Sequence, residues 1–90
     1  MKYPFVARDI AVWTPEGTDS EQVQNRIQDK AGNLVRRIDQ FDTFTKDGRT
    51  SYAFRLVFLS DERTLTDEEV NGYMQAVTDE LNAQSGWQVR

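Results

Sequence analysis

Ninety residues with 38% hydrophobic side chains suffice for one domain with a thin, two-layer core. The chain has no cysteine and no histidine, which removes disulfides, thiolate metal sites, a cysteine nucleophile, the usual general base near neutral pH and the commonest metal ligand. A formal charge of −4 argues against tight nucleic-acid binding by phosphate neutralisation alone; with no apolar run of membrane-spanning length and no signal-peptide pattern, a soluble cytoplasmic protein is expected.

Met1-Lys2-Tyr3-Pro4 is a lead-in, and Pro4 forbids an early helix. Phe5 to Trp13 reads as a strand. Val6, Arg8, Ile10 and Val12 share one face; Ala7, Asp9, Ala11 and Trp13 share the other. Ile10 and Val12 are the core candidates. Thr14-Pro15-Glu16-Gly17 reads as a turn by composition. Thr18-Asp19-Ser20-Glu21 has the form of a T-x-x-E capping box, with Asp19 or Ser20 as alternative caps. Val23, Ile27 and Ala31 line one stripe of the helix that follows, and Gly32-Asn33 ends it.

Leu34 to Thr45 reads as the second strand, but Ile38, Phe41 and Phe44 do not share one parity. A bulge near Gln40 is expected to bring Ile38 and Phe41 to the same face and to leave Asp42 and Phe44 pointing away from the helices. Lys46-Asp47-Gly48-Arg49 carries a D-G hairpin signal. Ser51 to Leu59 is the clearest strand: Tyr52, Phe54, Leu56 and Phe58 form a core face and alternate with Ser51, Ala53, Arg55 and Val57.

Thr66-Asp67-Glu68-Glu69 is a capping box that puts three carboxylates at the positive end of a helix dipole. Val70, Tyr73, Met74, Val77 and Leu81 follow at helical spacing, predicting a helix from Asp67 to about Ala83. The same logic accounts for Asp61, Glu62, Asp67 and Glu68 without a divalent metal, since the EF-hand spacing with its central glycine is absent. Ser85-Gly86 breaks the helix, and Trp87-Gln88-Val89-Arg90 reads as a short last strand.

Strand, helix, strand, strand, helix, strand is the order of the α+β, ferredoxin-like βαββαβ sandwich: an antiparallel four-stranded sheet with two helices on one face. The other face is open. Parity assigns to it Asp9, Ala11 and Trp13, then Asp42 and Phe44, then Ser51, Ala53 and Arg55. With the first and third strands central, small Ala11, Ser51 and Ala53 form a shallow floor beside aromatic Phe44. Such a floor suits a nucleobase stacked on the aromatic, with polar groups reading its edge. Asp42 and Ser51 are the candidate polar groups, a carboxylate being able to accept from the N1–H and amine of guanine. Arg36, Arg37 and Arg55 are candidate phosphate contacts, against the ordinary alternative of solvated or acid-paired side chains. The same face also reads as a packing surface for a neighbouring domain or a second copy. The consensus of ordinary RNA-recognition motifs is absent. No nucleophile–base pair, metal set or phosphate loop is visible, so neither catalytic nor metal-binding residues are expected.

Four blocks carry a resemblance that covers the whole chain: Tyr3-Pro4 with Arg8-Asp9-Ile10-Ala11; Phe41-Asp42-Thr43-Phe44; Ser51-Tyr52-Ala53-Phe54-Arg55-Leu56; and Arg63-Thr64-Leu65-Thr66-Asp67-Glu68-Glu69-Val70, the most specific. In this order they resemble the ferredoxin-fold anticodon-binding domain that ends the β subunit of bacterial phenylalanyl-tRNA synthetase. The resemblance implies one domain over 1–90, cut from the C-terminal end of a larger synthetase chain. It implies the anticodon stem-loop of tRNA(Phe) as partner, with the first anticodon base stacked on Phe44 and touched by Ala11, Asp42 and Ser51. Ala53 and Arg55 complete the expected RNA-binding set. It also implies the remaining synthetase domains and the catalytic α subunit as partners, in an assembly of two α and two β chains. ATP and magnesium serve that parent enzyme; no cofactor is expected in this domain.

Two departures from the family pattern stand out. Phe44 replaces the family's usual tyrosine, which keeps stacking and loses a phenolic hydrogen bond. The hairpin loop from Thr45 to Thr50 is shorter than in many bacterial relatives and is similar to organellar enzymes, where the domain ends a single-chain synthetase. Two other functions fit the same topology: an amino-acid-sensing regulatory module of the ACT kind, using Pro15-Glu16-Gly17 after the first strand, and a structural docking domain.

Overall fold

The computed structural model describes residues 3–90. The first half of the lead-in, Met1-Lys2, lies outside the described residues. The elements run β1 (Val6–Pro15), α1 (Ser20–Ala31), β2 (Val35–Lys46), β3 (Arg49–Phe58), α2 (Asp67–Asn82) and β4 (Gln88–Val89). They form one four-stranded sheet in the order β2-β3-β1-β4, with every pairing antiparallel. This is the expected ferredoxin-like arrangement, with β1 and β3 in the centre.

Alternation along the two central strands divides the sheet into a buried and an open face. Val6, Arg8, Ile10 and Val12 on β1 lie opposite Phe58, Leu56, Phe54 and Tyr52 on β3. These rows face the helices, and Val12, Phe54, Leu56 and Phe58 are fully buried. Val23, Ile27 and Ala31 from α1 and Val70, Val77 and Leu81 from α2 close the core from above. Arg26 of α1 reaches Glu80 of α2 at 3.0 Å and ties the helices on their outer side.

β1 continues two residues past Trp13, through what composition alone reads as a turn. Thr14 continues the buried row, and its hydroxyl is satisfied by donation to the Thr50 carbonyl at 2.9 Å. Pro15 pairs with Arg49 of β3 but lies beyond the part of β1 that pairs with β4, which stops at Val12 and Trp13. Its missing N–H therefore interrupts no ladder on that side.

Both helices start on capping boxes. For α2 the box is the expected one: the Glu69 amide donates to Thr66 Oγ1 at 3.2 Å and the Thr66 amide to Glu69 Oε1 at 2.9 Å. Leu65 just before the cap and Val70 in the first turn are both buried, a hydrophobic staple. For α1 the cap is Asp19, the alternative reading. Its carboxylate accepts from the Gln22 amide, and Gln22 accepts from the Asp19 amide, both at 2.9 Å. Gly32 at φ 82° ends α1. The β2–β3 hairpin turns on Asp47 and Gly48, with φ 53° and 75°, the paired positive angles of a two-residue turn matched to strand twist.

β2 is irregular at two places. The register shifts between Val35 and Arg37 and again between Gln40 and Asp42. The second shift is the expected bulge, but it falls on Phe41 and has a different consequence. Gln40 lies opposite Phe54 and Asp42 opposite Ala53, so Phe41 is the unpaired extra residue. Phe41 is therefore not brought into the core with Ile38. Its ring is 52% exposed and lies under the Arg55 guanidinium, 5.1 Å from ring centre to Cζ, on the open face. The last strand is also shorter than Trp87–Arg90, because only Gln88 and Val89 pair with β1.

Candidate nucleic-acid interface

The open face can be read as rows running across β1, β3 and β2. Asp9, Arg55 and Asp39 form one row; Ala11, Ala53 and Asp42 the next; Trp13, Ser51 and Phe44 a third; Pro15, Arg49 and Lys46 the last. Every residue expected on this face is there. The row of Ala11 and Ala53 is a floor without side-chain relief, and Asp42 and Phe44 stand at its β2 edge.

Asp42 is exposed, and its Oδ1 accepts from the Thr43 amide at 2.9 Å. Among the described residues it forms no ion pair, and its second oxygen accepts no hydrogen bond. Phe44 is 48% exposed. Trp13 supports it from across the row: the ring centres are 5.8 Å apart and the planes tilted by 59°, within the range of centroid separations of interacting aromatic pairs. A large ring held half out of the surface, beside an exposed carboxylate and one row from two alanines, offers one flat apolar contact and one hydrogen-bond acceptor.

Ser51 and Ala53 lie deeper than parity alone conveys. Ser51 is 2% exposed, and its hydroxyl is reached by Arg90 Nη1 at 3.2 Å. Arg90 is fixed in turn by its amide, which donates to the Ala11 carbonyl at 2.8 Å. At this position the outward polar group is the Arg90 guanidinium rather than the serine hydroxyl.

Arg55 is engaged with Asp9 in a two-pronged pair, Nε to Oδ1 at 2.8 Å and Nη2 to Oδ2 at 3.0 Å. The hydrogen bond from Arg55 is the main cause that holds the Asp9 carboxyl below its ordinary range, with charge attraction adding to it and burial opposing it. The other two arginines singled out from sequence are also paired. Arg37 meets Asp39 at 3.0 Å; Arg36 meets Asp61 at 3.3 Å and donates to the Leu59 carbonyl.

Parity and residue type miss three cations of this face: Lys46, Arg49 and Arg90. A signal for them exists in the sequence. The D-G turn sets Lys46 opposite Arg49, and Arg90 shares parity with Gln88, which pairs with Trp13. Among the described residues, no cluster of three or more acidic side chains has metal-binding geometry, and no helix is long and apolar enough to cross a membrane.

The family model of the ferredoxin-fold anticodon binding domain matches residues 1–90. The chain is 38% identical over 93 residues to the phenylalanine–tRNA ligase beta subunit of Salinibacter ruber, a match covering 99% of this chain and 11% of that protein. It is 37% identical over 91 residues to the chloroplastic/mitochondrial phenylalanine–tRNA ligase of Arabidopsis thaliana, covering 99% of this chain and 21% of the relative. The beta subunit of the Bacillus subtilis ligase is 38% identical over 73 residues, 77% of this chain and 9% of the relative. The match thus spans 9% to 21% of the length of these relatives.

Proposed function

Since the chain belongs to the ferredoxin-fold anticodon-binding domain family, we propose that it is the anticodon-binding module of a phenylalanine–tRNA ligase and receives the anticodon loop of tRNA(Phe) on its open sheet face. The observation that carries this reading is a half-exposed Phe44 ring two residues along β2 from the exposed Asp42 carboxylate, with Asp42 at the edge of the Ala11–Ala53 row. The first anticodon base stacks on Phe44, and Asp42 accepts from its N1–H and exocyclic amine, which selects guanine. Ser51 acts beneath Arg90, and Arg55 acts as the Phe41-stacked partner of Asp9.

The parent enzyme, in this reading, joins phenylalanine to its tRNA with ATP and magnesium in the cytoplasm. That chemistry belongs to other parts of the assembly, including the α subunit. The remaining synthetase domains have a surface to meet at the far end of the same face. A shallow hollow of about 590 Å³ there is bordered by Phe5, Ala7, Arg37, Asp39 and Val57, and Phe5 is 53% exposed.

Calorimetric binding of two anticodon stem-loops, with guanine or adenine at the first anticodon position, tests the reading. The wild type is expected to favour guanine, and Asp42→Asn to remove about 1.5–3 kcal/mol of that preference, the range for hydrogen bonds to a charged group. Equal affinity of the wild type for both RNAs contradicts base reading by this face.

A further inference from the structure

The chain has eleven lysines and arginines. Six arginines are in ion pairs: Arg8, Arg26, Arg36, Arg37, Arg55 and Arg63. Among the described residues this leaves Lys30, Lys46, Arg49 and Arg90 without an acidic partner. Three of those four stand on the open face next to the Phe44 row. In a chain of net charge −4, acids outnumber bases, and a base without a partner is the less expected outcome.

Arg49 and Arg90 flank a single indole. Their Cζ atoms lie 5.1 Å and 5.2 Å from the centre of the Trp13 ring, within the range of cation–π attraction. Each is steadied by one neutral acceptor, Arg49 Nη2 on Gln88 Oε1 at 3.3 Å and Arg90 Nη1 on Ser51 Oγ at 3.2 Å. A guanidinium has five donors, so each keeps N–H groups for another acceptor. Lys46 lies opposite Arg49 in the register, and the two share with Trp13 and Asp47 an open hollow of about 190 Å³. Asp47 is the one acid in that hollow, and it reaches none of these cations within ion-pair distance. Two like charges held around one ring repel each other, and an anion placed between them relieves that repulsion.

We propose that Arg49, Arg90 and Lys46, arranged around Trp13, bind the phosphodiester backbone of the RNA loop beside the base stacked on Phe44. This deepens the anticodon-loop reading and rests on it for the identity of the polyanion. The two sites are adjacent by construction, since Trp13 packs against Phe44 at a tilt and Arg90 donates to the Ser51 hydroxyl. Division of labour follows: Phe44 and Asp42 select the base, and the three cations hold the chain that presents it. An acidic domain can bind RNA in this way, by gathering three of the four unpaired cations among its described residues at one end of one face.

The test is the salt dependence of stem-loop binding by the 90-residue chain and by Lys46→Gln, Arg49→Gln and Arg90→Gln, each with both first-base RNAs. Each variant is expected to reduce the slope of log affinity against log salt by about 0.7, one single-strand phosphate contact. Lys46→Gln and Arg49→Gln should weaken both RNAs by the same factor, leaving base preference intact. All three residues are exposed, and amide spectra of the variants verify the fold. Unchanged slopes in all three variants, with base preference retained by the wild type, overturn the phosphate site while the base reading stands. Lower slopes without base preference in the wild type support the phosphate site and overturn the base reading. Absence of RNA binding at low salt, together with cation-dependent binding of an acidic peptide, overturns both.

Discussion

The Arg55 guanidinium clasps the Asp9 carboxylate across neighbouring central strands with hydrogen bonds of 2.8 and 3.0 Å, while stacking on Phe41 of the adjacent edge strand. Three strands are thereby tied on a face with no helix above it. Asp9 is held below the usual carboxylate range, first by the hydrogen bond from Arg55. A lowered folded-state value means that the pair contributes stability above the unfolded aspartate value, near about 3.9, and that this contribution is lost as pH falls through the lowered value. Both side chains are about half exposed, so the contribution is small and weakens with salt. Carboxyl NMR titration is expected to show Asp9 titrating below ordinary aspartates and moving up in Arg55→Gln. The two proteins should converge in stability at acid pH.

Phe44 and Phe54 make opposite predictions from the same residue type. Phe54 has no exposed surface, and Phe44 is 48% exposed. Phe54→Ala is expected to cost about 3–5 kcal/mol of unfolding free energy. Phe44→Ala should leave the urea midpoint nearly unchanged while weakening stem-loop binding by about 1–3 kcal/mol, the loss of one base stack. Paired denaturation and binding measurements check both.

Thr66→Ala removes the hydroxyl that accepts from the Glu69 amide. The expected loss is about 1 kcal/mol, read from chemical denaturation, with RNA binding unaffected because the cap lies on the helix side of the sheet.

Gly32 has both a backbone and a space requirement. Its φ is 82°, and a Cβ there would sit 2.6 Å from Tyr73 Cε1. Tyr73 is stacked on buried Phe58 with ring centres 6.1 Å apart, which limits its retreat. Gly32→Ala is expected to destabilise by more than about 1 kcal/mol, seen as a lower urea midpoint.

Much of this fold was legible because local signals agreed with one another. The alternation in Tyr52, Phe54, Leu56 and Phe58, the Thr66–Glu69 box and the D-G turn each point to one structure. The open-face assignment of Ala11 follows from such alternation in the first strand, and those of Asp42 and Phe44 from the bulge expected near Gln40. Phe41 was not legible. A bulge placed one residue off reverses which side an unpaired residue takes, and an aromatic near Ile38 reads naturally as core. Asp19 and Thr18 are both good caps, and only the side chain at the third helical position, Gln22, decides between them. The burial of Ser51 was hidden for another reason: it depends on Arg90, 39 residues away in sequence, and no periodicity reports such a contact.

Amide NMR titration of the chain with the anticodon stem-loop of phenylalanine tRNA, beside one with a changed first base, tests the central claim most directly. The predicted result is a set of shifts on the open face, at Ala11, Asp42, Phe44, Ser51 and Ala53 and at the neighbouring Lys46, Arg49 and Arg90, with those at the first five larger for the native loop than for the altered one. Shifts that map to the outer surfaces of α1 and α2, or no shifts at millimolar RNA, would contradict anticodon reading by the open face.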